Sequence, residues 1–206
     1  MKRLSLVTTL AVMALGLVSV LSPSGARADD AADAKAIVQN IADEGLNIVK
    51  RPDKSDRYRS FLALFKAKFD TEAIGRFVLG QYRRDIDPKQ FERFSTVFDE
   101  LVARTYTTQL GQYAGEQLTV QGARADGKHW IVSSRVVPPG RSSIKLDWIL
   151  GRTKDGLKVL DVRVDNLSMA ITQRDEFASV LQQNAGNVDK LIAFMQDKIK
   201  RLDAGA

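Results

Sequence analysis

Three side chains in this sequence have the chemistry for acid–base work: His129, Asp147 and Asp161. His129 is the only histidine; it stands beside a turn, next to Trp130, at the start of an alternating segment. A general base needs a positioned partner, and no neighbour in sequence supplies one, so His129 reads as a partly exposed turn residue. Asp147 and Asp161 fall in segments where apolar and polar residues alternate. They become a proton-transfer pair only if a pocket brings them together, and solvated sheet residues are the expected reading. Asn166-Leu167-Ser168 matches a glycosylation sequon, a short pattern that arises often by chance; Ser168 is expected to cap a helix instead. The chain has no cysteine, which with a single histidine removes most metal sites and most nucleophilic machinery. It has no phosphate loop and no dinucleotide fingerprint. A protein without catalytic residues, metal or cofactor is expected.

The elements that carry these residues follow from hydrophobic periodicity. Ile37, Ile41, Ile48 and Val49 recur at helical spacing over Asp33–Lys50, and Arg51-Pro52-Asp53 stops that helix. Ser55 is expected to cap a second helix bearing Phe61, Leu62, Leu64, Phe65 and Phe69. Asp70 is expected to cap a third, Thr71–Leu79, ended by Gly80. Asp87-Pro88 opens a long helix with Phe91, Phe94, Phe98, Leu101 and Val102 on one stripe. After Gly115 the period changes to two. Leu118 and Val120, then Trp130, Val132 and Val136, then Ile144, Leu146, Trp148 and Leu150, then Leu160, Val162 and Val164 mark four strands. The turns between them are short, so an antiparallel meander with one apolar face is expected. Phe177, Val180 and Leu181, and after Asn184–Asn187 the residues Val188, Leu191, Ile192, Met195 and Ile199, return the chain to helix. The fold class is α+β, a helical layer on a small four-stranded antiparallel sheet.

The first 28 residues read as a cleaved secretory signal. Lys2 and Arg3 precede the apolar run Leu4–Leu21, turn residues follow, and Ala26-Arg27-Ala28 supplies the small-x-small site. Residues 29–206 then form one domain, large enough to bury a core without disulfides. Loss of Lys2, Arg3 and Arg27 lowers the formal net charge from +6 to +3. The remaining basic residues are interspersed with acidic ones, and no basic stripe marks a nucleic-acid binder. No second stretch approaches membrane-spanning length. What is left unassigned is a set of large apolar stripes that would fill either a closed core or a ligand cleft.

The segment FDTEAIGRFVLGQYRRDIDPKQFERFSTVF, Phe69 to Phe98, resembles the signature of the MlaC family of periplasmic lipid-transport proteins, the toluene-tolerance auxiliary type. Phe69, Asp70, Ile74, Val78, Leu79, Gly80, Tyr82, Arg83, Pro88 and Phe94 carry the likeness. Tyr113 and Gly115-Glu116 resemble the family's step into the sheet, and Val159 to Phe177 its passage from strand to helix. Arg83 stands where the family often has Trp, and Asp165-Asn166-Leu167 replaces Glu-Gly-Val. Ser168 to Arg174 is similar to the hopanoid-associated branch often called HpnM. The resemblance implies a curved sheet and a helical layer with an apolar cavity between them. It also implies a carrier that moves phospholipid or hopanoid between an outer-membrane lipoprotein complex and an inner-membrane MCE/ABC transporter complex. Ile74, Phe77, Val78, Phe94, Phe98, Trp130, Leu146 and Trp148 are the candidate lipid-lining residues. Two other readings are an enzyme on a cone-shaped α+β fold, using Asp147, Asp161 or His129 as base, and an adaptor whose groove takes a protein segment.

Overall fold

The computed structural model describes residues 24–110, 118–138, 140 and 142–205, with backbone alone at 24–28 and Leu110. Most of the expected signal segment, residues 1–23, and the Tyr113 and Gly115-Glu116 step therefore lie outside the described residues.

The first helix, α1 (Ser24–Val49), starts nine residues before the expected Asp33. The alanine-rich stretch Ala26–Ala36 explains this, because alanine has the highest helix propensity. Its buried face is Ala34, Val38, Ile41, Ala42 and Ile48, a helical stripe built on smaller residues than expected. Helix α2 (Lys54–Lys68) is capped by Asp53, whose carboxylate accepts from Asp56 N at 2.6 Å. Ser55 is therefore not the cap but lies inside the first turn. Asp53 has the extended backbone that a cap requires, and its charged oxygen suits the helix's positive end.

Asp70 caps α3 (Thr71–Val78) as expected, accepting from Ala73 N. Gly80, at φ +59°, turns the chain out of that helix into a 3-10 turn, Gly80–Arg84. Helix α4 (Pro88–Leu110) begins at Asp87, which accepts from Lys89 N and Gln90 N.

Four strands follow in meander order: β1 (Leu118–Asp126), β2 (His129–Val136), β3 (Ile144–Thr153) and β4 (Gly156–Val164). A fifth, β5 (Leu167–Ser168), corrects the expected strand count. Asp165 (φ 47°) and Asn166 (φ 71°) form a two-residue turn of left-handed backbone that pairs Val164 with Leu167. Two ladder residues are too few to leave an alternation in sequence. Irregularities at Val120/Gly122 and Ile149/Leu150 bend the sheet. Ser168 then caps α5 (Met169–Gln183), and Asn187 caps α6 (Val188–Asp203).

Two apolar clusters result. One joins α3, α4, α5 and α6 through residues such as Val78, Phe94, Phe98, Phe177, Leu191 and Met195. The other presses Ala34, Val38 and Ile41 of α1 onto the sheet face formed by Val132, Trp148, Leu150 and Val159. Phe69, the residue that ends α2, packs against both. Its neighbour Asp70 donates its N–H to Val159 O at 3.0 Å, tying the α2–α3 junction to β4.

Candidate functional site

The sheet carboxylates are structural. Asp147 accepts from Ser133 Oγ at 2.6 Å and pairs with Lys145 Nζ at 2.7 Å. Burial pushes this carboxyl up, but the bonds from Lys145 and Ser133, with the charges of Lys145 and Arg124, hold it below its ordinary value. Asp161 accepts from Ser168 Oγ and from Ala170 N, so it anchors the start of α5. Each carboxylate has its own donors, and the two share no proton. The His129 ring makes no hydrogen bond among the described residues, which also contain no cluster of metal-ligating side chains. The acid–base trio does not assemble into a site.

The eight candidate lining residues fall into two groups. Ile74, Phe77, Val78, Phe94 and Phe98 belong to the helical cluster. Phe94 and Phe98 stack at 5.8 Å, and both meet the edge of Phe177 at about 6 Å, an arrangement favoured by ring quadrupoles. Phe77 is half-buried, with the Arg174 guanidinium 5.2 Å from its ring centre. Trp130, Leu146 and Trp148 belong instead to the sheet face. Trp148 Nε1 donates to the fully buried Ser134 Oγ at 2.9 Å, which satisfies the one polar atom of the ring. Phe69 is where the two groups meet.

Helix α2 bridges them. Its Phe65 lies 4.9 Å from Phe69, and its Phe61 stacks on Tyr106 of α4 at 6.4 Å. In this α2–α4 seam the sequence reading missed Asp99, which is 6% exposed. Burial pushes its carboxyl up to about 6, against the opposing charge of Lys66. Lys66 Nζ reaches Asp99 Oδ2 only at 3.8 Å. Asp99 Oδ1, and Ser95 Oγ one turn earlier, are buried without a hydrogen-bond partner among the described residues. Each such group costs roughly 1–3 kcal/mol. The available signal was a charged residue beside Phe98, but several polar residues on α4 also adjoin its Phe stripe and only packing singles out this one. Tyr106 is similarly pushed up, by burial first and then by Asp161.

Two cavities border these elements. One of about 540 Å³ lies between α4 and α6, beside Arg93, Val97, Asp189 and Ile192. A smaller one of about 220 Å³ lies between α1 and the sheet, beside Ile37, Asn40 and Leu157.

Comparison with known proteins accounts for this architecture. The family model for the MlaC protein matches residues 39–197. The toluene tolerance protein Ttg2D of Pseudomonas putida is 28% identical over 125 residues, 60% of this chain and 58% of that protein. The chain thus aligns with little more than half the length of that relative. The fold is shared with the phospholipid-binding protein of Ralstonia solanacearum, solved in complex with a phospholipid. The TM-score is 0.72 at 24% identity, covering 82% of this chain and 98% of that one. With its helices, its curved antiparallel sheet and a family match running from α1 into α6, the chain belongs to the MlaC family.

Proposed function

We propose that residues 29–206 are a single-domain, soluble periplasmic lipid carrier, released by cleavage of residues 1–28, that shields the tails of a membrane lipid without chemically changing it. The observation that carries this reading is the family membership, joined to a fold shared with a protein solved around a phospholipid. Physical chemistry supports it. Moving two acyl chains through water costs roughly 0.8 kcal/mol per methylene, on the order of 20 kcal/mol for a phospholipid. An apolar cleft offsets that cost and needs no catalytic group. The tails are proposed to run between the two apolar clusters along Phe69. Ile74, Phe77, Val78, Phe94 and Phe98 would contact them from the helical side, and Trp130, Leu146 and Trp148 from the sheet. The cargo would be phospholipid or hopanoid. The exchange partners would be an outer-membrane lipoprotein complex and an inner-membrane MCE/ABC transporter complex.

Organic extraction of gently purified protein, followed by mass spectrometry, tests the carrier reading. About one lipid per chain is expected. Empty protein that also fails to take up labelled phospholipid and hopanoid would overturn it. A diazirine at the tail end tests the route: crosslinks are expected at the eight proposed contacts or Phe69, and label confined to exposed surface would reject it.

A further inference from the structure

Among the described residues the exposed large aliphatic side chains are Val137, Leu167 and Ile171, at 61%, 59% and 52%. Strand register gathers them at one end of the sheet. Val137 follows Val136, the last residue of β2, which pairs with Ile144 at the start of β3. Two residues further along β3, Leu146 pairs with Val164, the last residue of β4, and Val164 pairs with Leu167. Ile171 lies four residues beyond Leu167, in the first turn of α5. Three cations share this end. Arg135 stands directly opposite Lys145, and Arg163 pairs with Asp147, two residues along from Lys145. Like charges directly opposite each other destabilise a strand pair. The carboxylates these cations reach lie beneath them: the Lys145 and Arg163 side chains are both 43% exposed, those of Asp147 and Asp161 only 10% and 15%. Arg135 is exposed and donates to Ser143 Oγ. Asp165 is the exposed acid here, and its carboxylate turns back to accept from Lys145 N. The surface is therefore aliphatic and net cationic.

The form of this surface decides what it fits. The three aliphatics line neither cavity; they project from a strand end, a hairpin end and a helix start. Protein interfaces centre on aromatic anchors seated in pockets, and none of these side chains is aromatic. Projecting aliphatics fringed by cations suit a bilayer surface, whose phosphates meet the charges while the apolar side chains enter the boundary between headgroups and acyl chains. We propose that this end of the sheet docks on an anionic membrane surface, with Val137, Leu167 and Ile171 entering that boundary and Arg135, Lys145 and Arg163 meeting lipid phosphates. The inference goes beyond the carrier reading, which concerns the tails held inside the protein, and it does not rest on that reading.

The test is co-sedimentation of the full mature protein with vesicles, with bound protein and transferred lipid scored separately so that cargo uptake does not register as docking. Vesicles of phosphatidylcholine alone are compared with vesicles of phosphatidylglycerol and phosphatidylcholine in equal amounts. A cation at an anionic surface strengthens binding about fivefold. The wild type is therefore expected to bind the anionic vesicles about tenfold better or more, and to lose that excess in about 0.5 M sodium chloride. Val137→Ser, Leu167→Ser and Ile171→Ser together, and separately Arg135→Gln with Arg163→Gln, should each lower binding about tenfold while the melting temperature holds. Lys89→Gln with Lys190→Gln removes as much charge from exposed positions on α4 and α6, and should leave binding within about twofold. Equal binding to both vesicle types overturns the docking surface and leaves the carrier reading standing. So do aliphatic and arginine variants that bind as the wild type does, or a loss as large in the α4 and α6 pair, which would reduce the effect to net charge. Protein that binds no vesicle yet takes up dispersed lipid also overturns it, and assigns the exposed aliphatics to a protein partner. Protein that docks but takes up no lipid overturns the carrier reading alone.

Discussion

At the residue scale, Asp99 gives this protein a distinctive pH response. Its carboxyl sits near 6 in the folded chain, above the ordinary carboxylate value, so folding favours its protonated form. Its contribution to stability is therefore fullest in acid, falls as pH rises towards 6, and is flat above that. Asp147, held below its ordinary value, acts in the opposite sense: its contribution is present above the ordinary carboxylate range and is lost as the pH falls below it. The two windows separate. Asp99→Asn should gain stability relative to wild type between pH 4.5 and 7.5, by on the order of 2 kcal/mol, because each tenfold rise in proton affinity on folding is worth about 1.4 kcal/mol. Urea denaturation of both proteins at the two pH values measures this, and equal gaps would mean Asp99 is not held protonated by burial. Phe94 is fully buried, packed between the rings of Phe98 and Phe177. Phe94→Ala should cost about 3–5 kcal/mol in lipid-free protein, measured by the same denaturation.

At the element scale, the start of α2 separates propensity from geometry. Both Asp53 and Ser55 are favoured cap residues, yet only Asp53 has the extended backbone, at φ −77° and ψ 122°, that points an oxygen at the first free N–H groups. Asp53→Ala should lower stability by about 1 kcal/mol. Ser55→Ala, which removes only an exposed contact from Arg59, should stay within about 0.5 kcal/mol. Comparable losses at both positions in thermal melts would show that the helix begins later than Lys54. Helix α1 has a different role. It is weakly apolar overall, and its Ala34 and Val38 lie against the sheet as fully buried residues. Small side chains let helix and sheet approach closely, and this leaves Trp130 and Leu146 half-buried at the margin of the contact.

At the scale of the whole molecule, the two apolar clusters meet, among the described residues, at Phe69. A ligand that binds only the folded state stabilises it by mass action. Delipidated protein reloaded from vesicles should therefore melt several degrees higher than the empty form. Fluorescence of Trp130 and Trp148, both on the sheet side of the proposed cleft, should change on loading. A melting temperature indifferent to lipid would argue that lipid binds outside the folded core. The same scale sets the prediction for export: periplasmic product should have the intact mass of a chain beginning at Asp29. Since α1 runs from Ser24, that cut removes five helical residues but none of the buried Ala34–Ile48 face.

The sequence by itself determined the order of elements, the fold class and the family. Caps such as Asp70, Asp87 and Ser168 act through neighbours three residues away, and periodicity is a local property of the chain. It also determined that Asp147 and Asp161 are sheet residues, because strict alternation places polar side chains opposite the apolar face. The tertiary structure decided what periodicity does not encode. A stripe of Phe and Trp reads the same whether it meets another helix or a sheet, and only the packing showed that the five helical candidates sit in one cluster and the three strand candidates in another, under α1. The two-residue strand β5 depends on left-handed backbone at Asp165 and Asn166, fixed by pairing with β4. Asp99 became special through burial beside Lys66 of α2, a neighbour about thirty residues away, and desolvation depends on what surrounds a group rather than on its place in the chain.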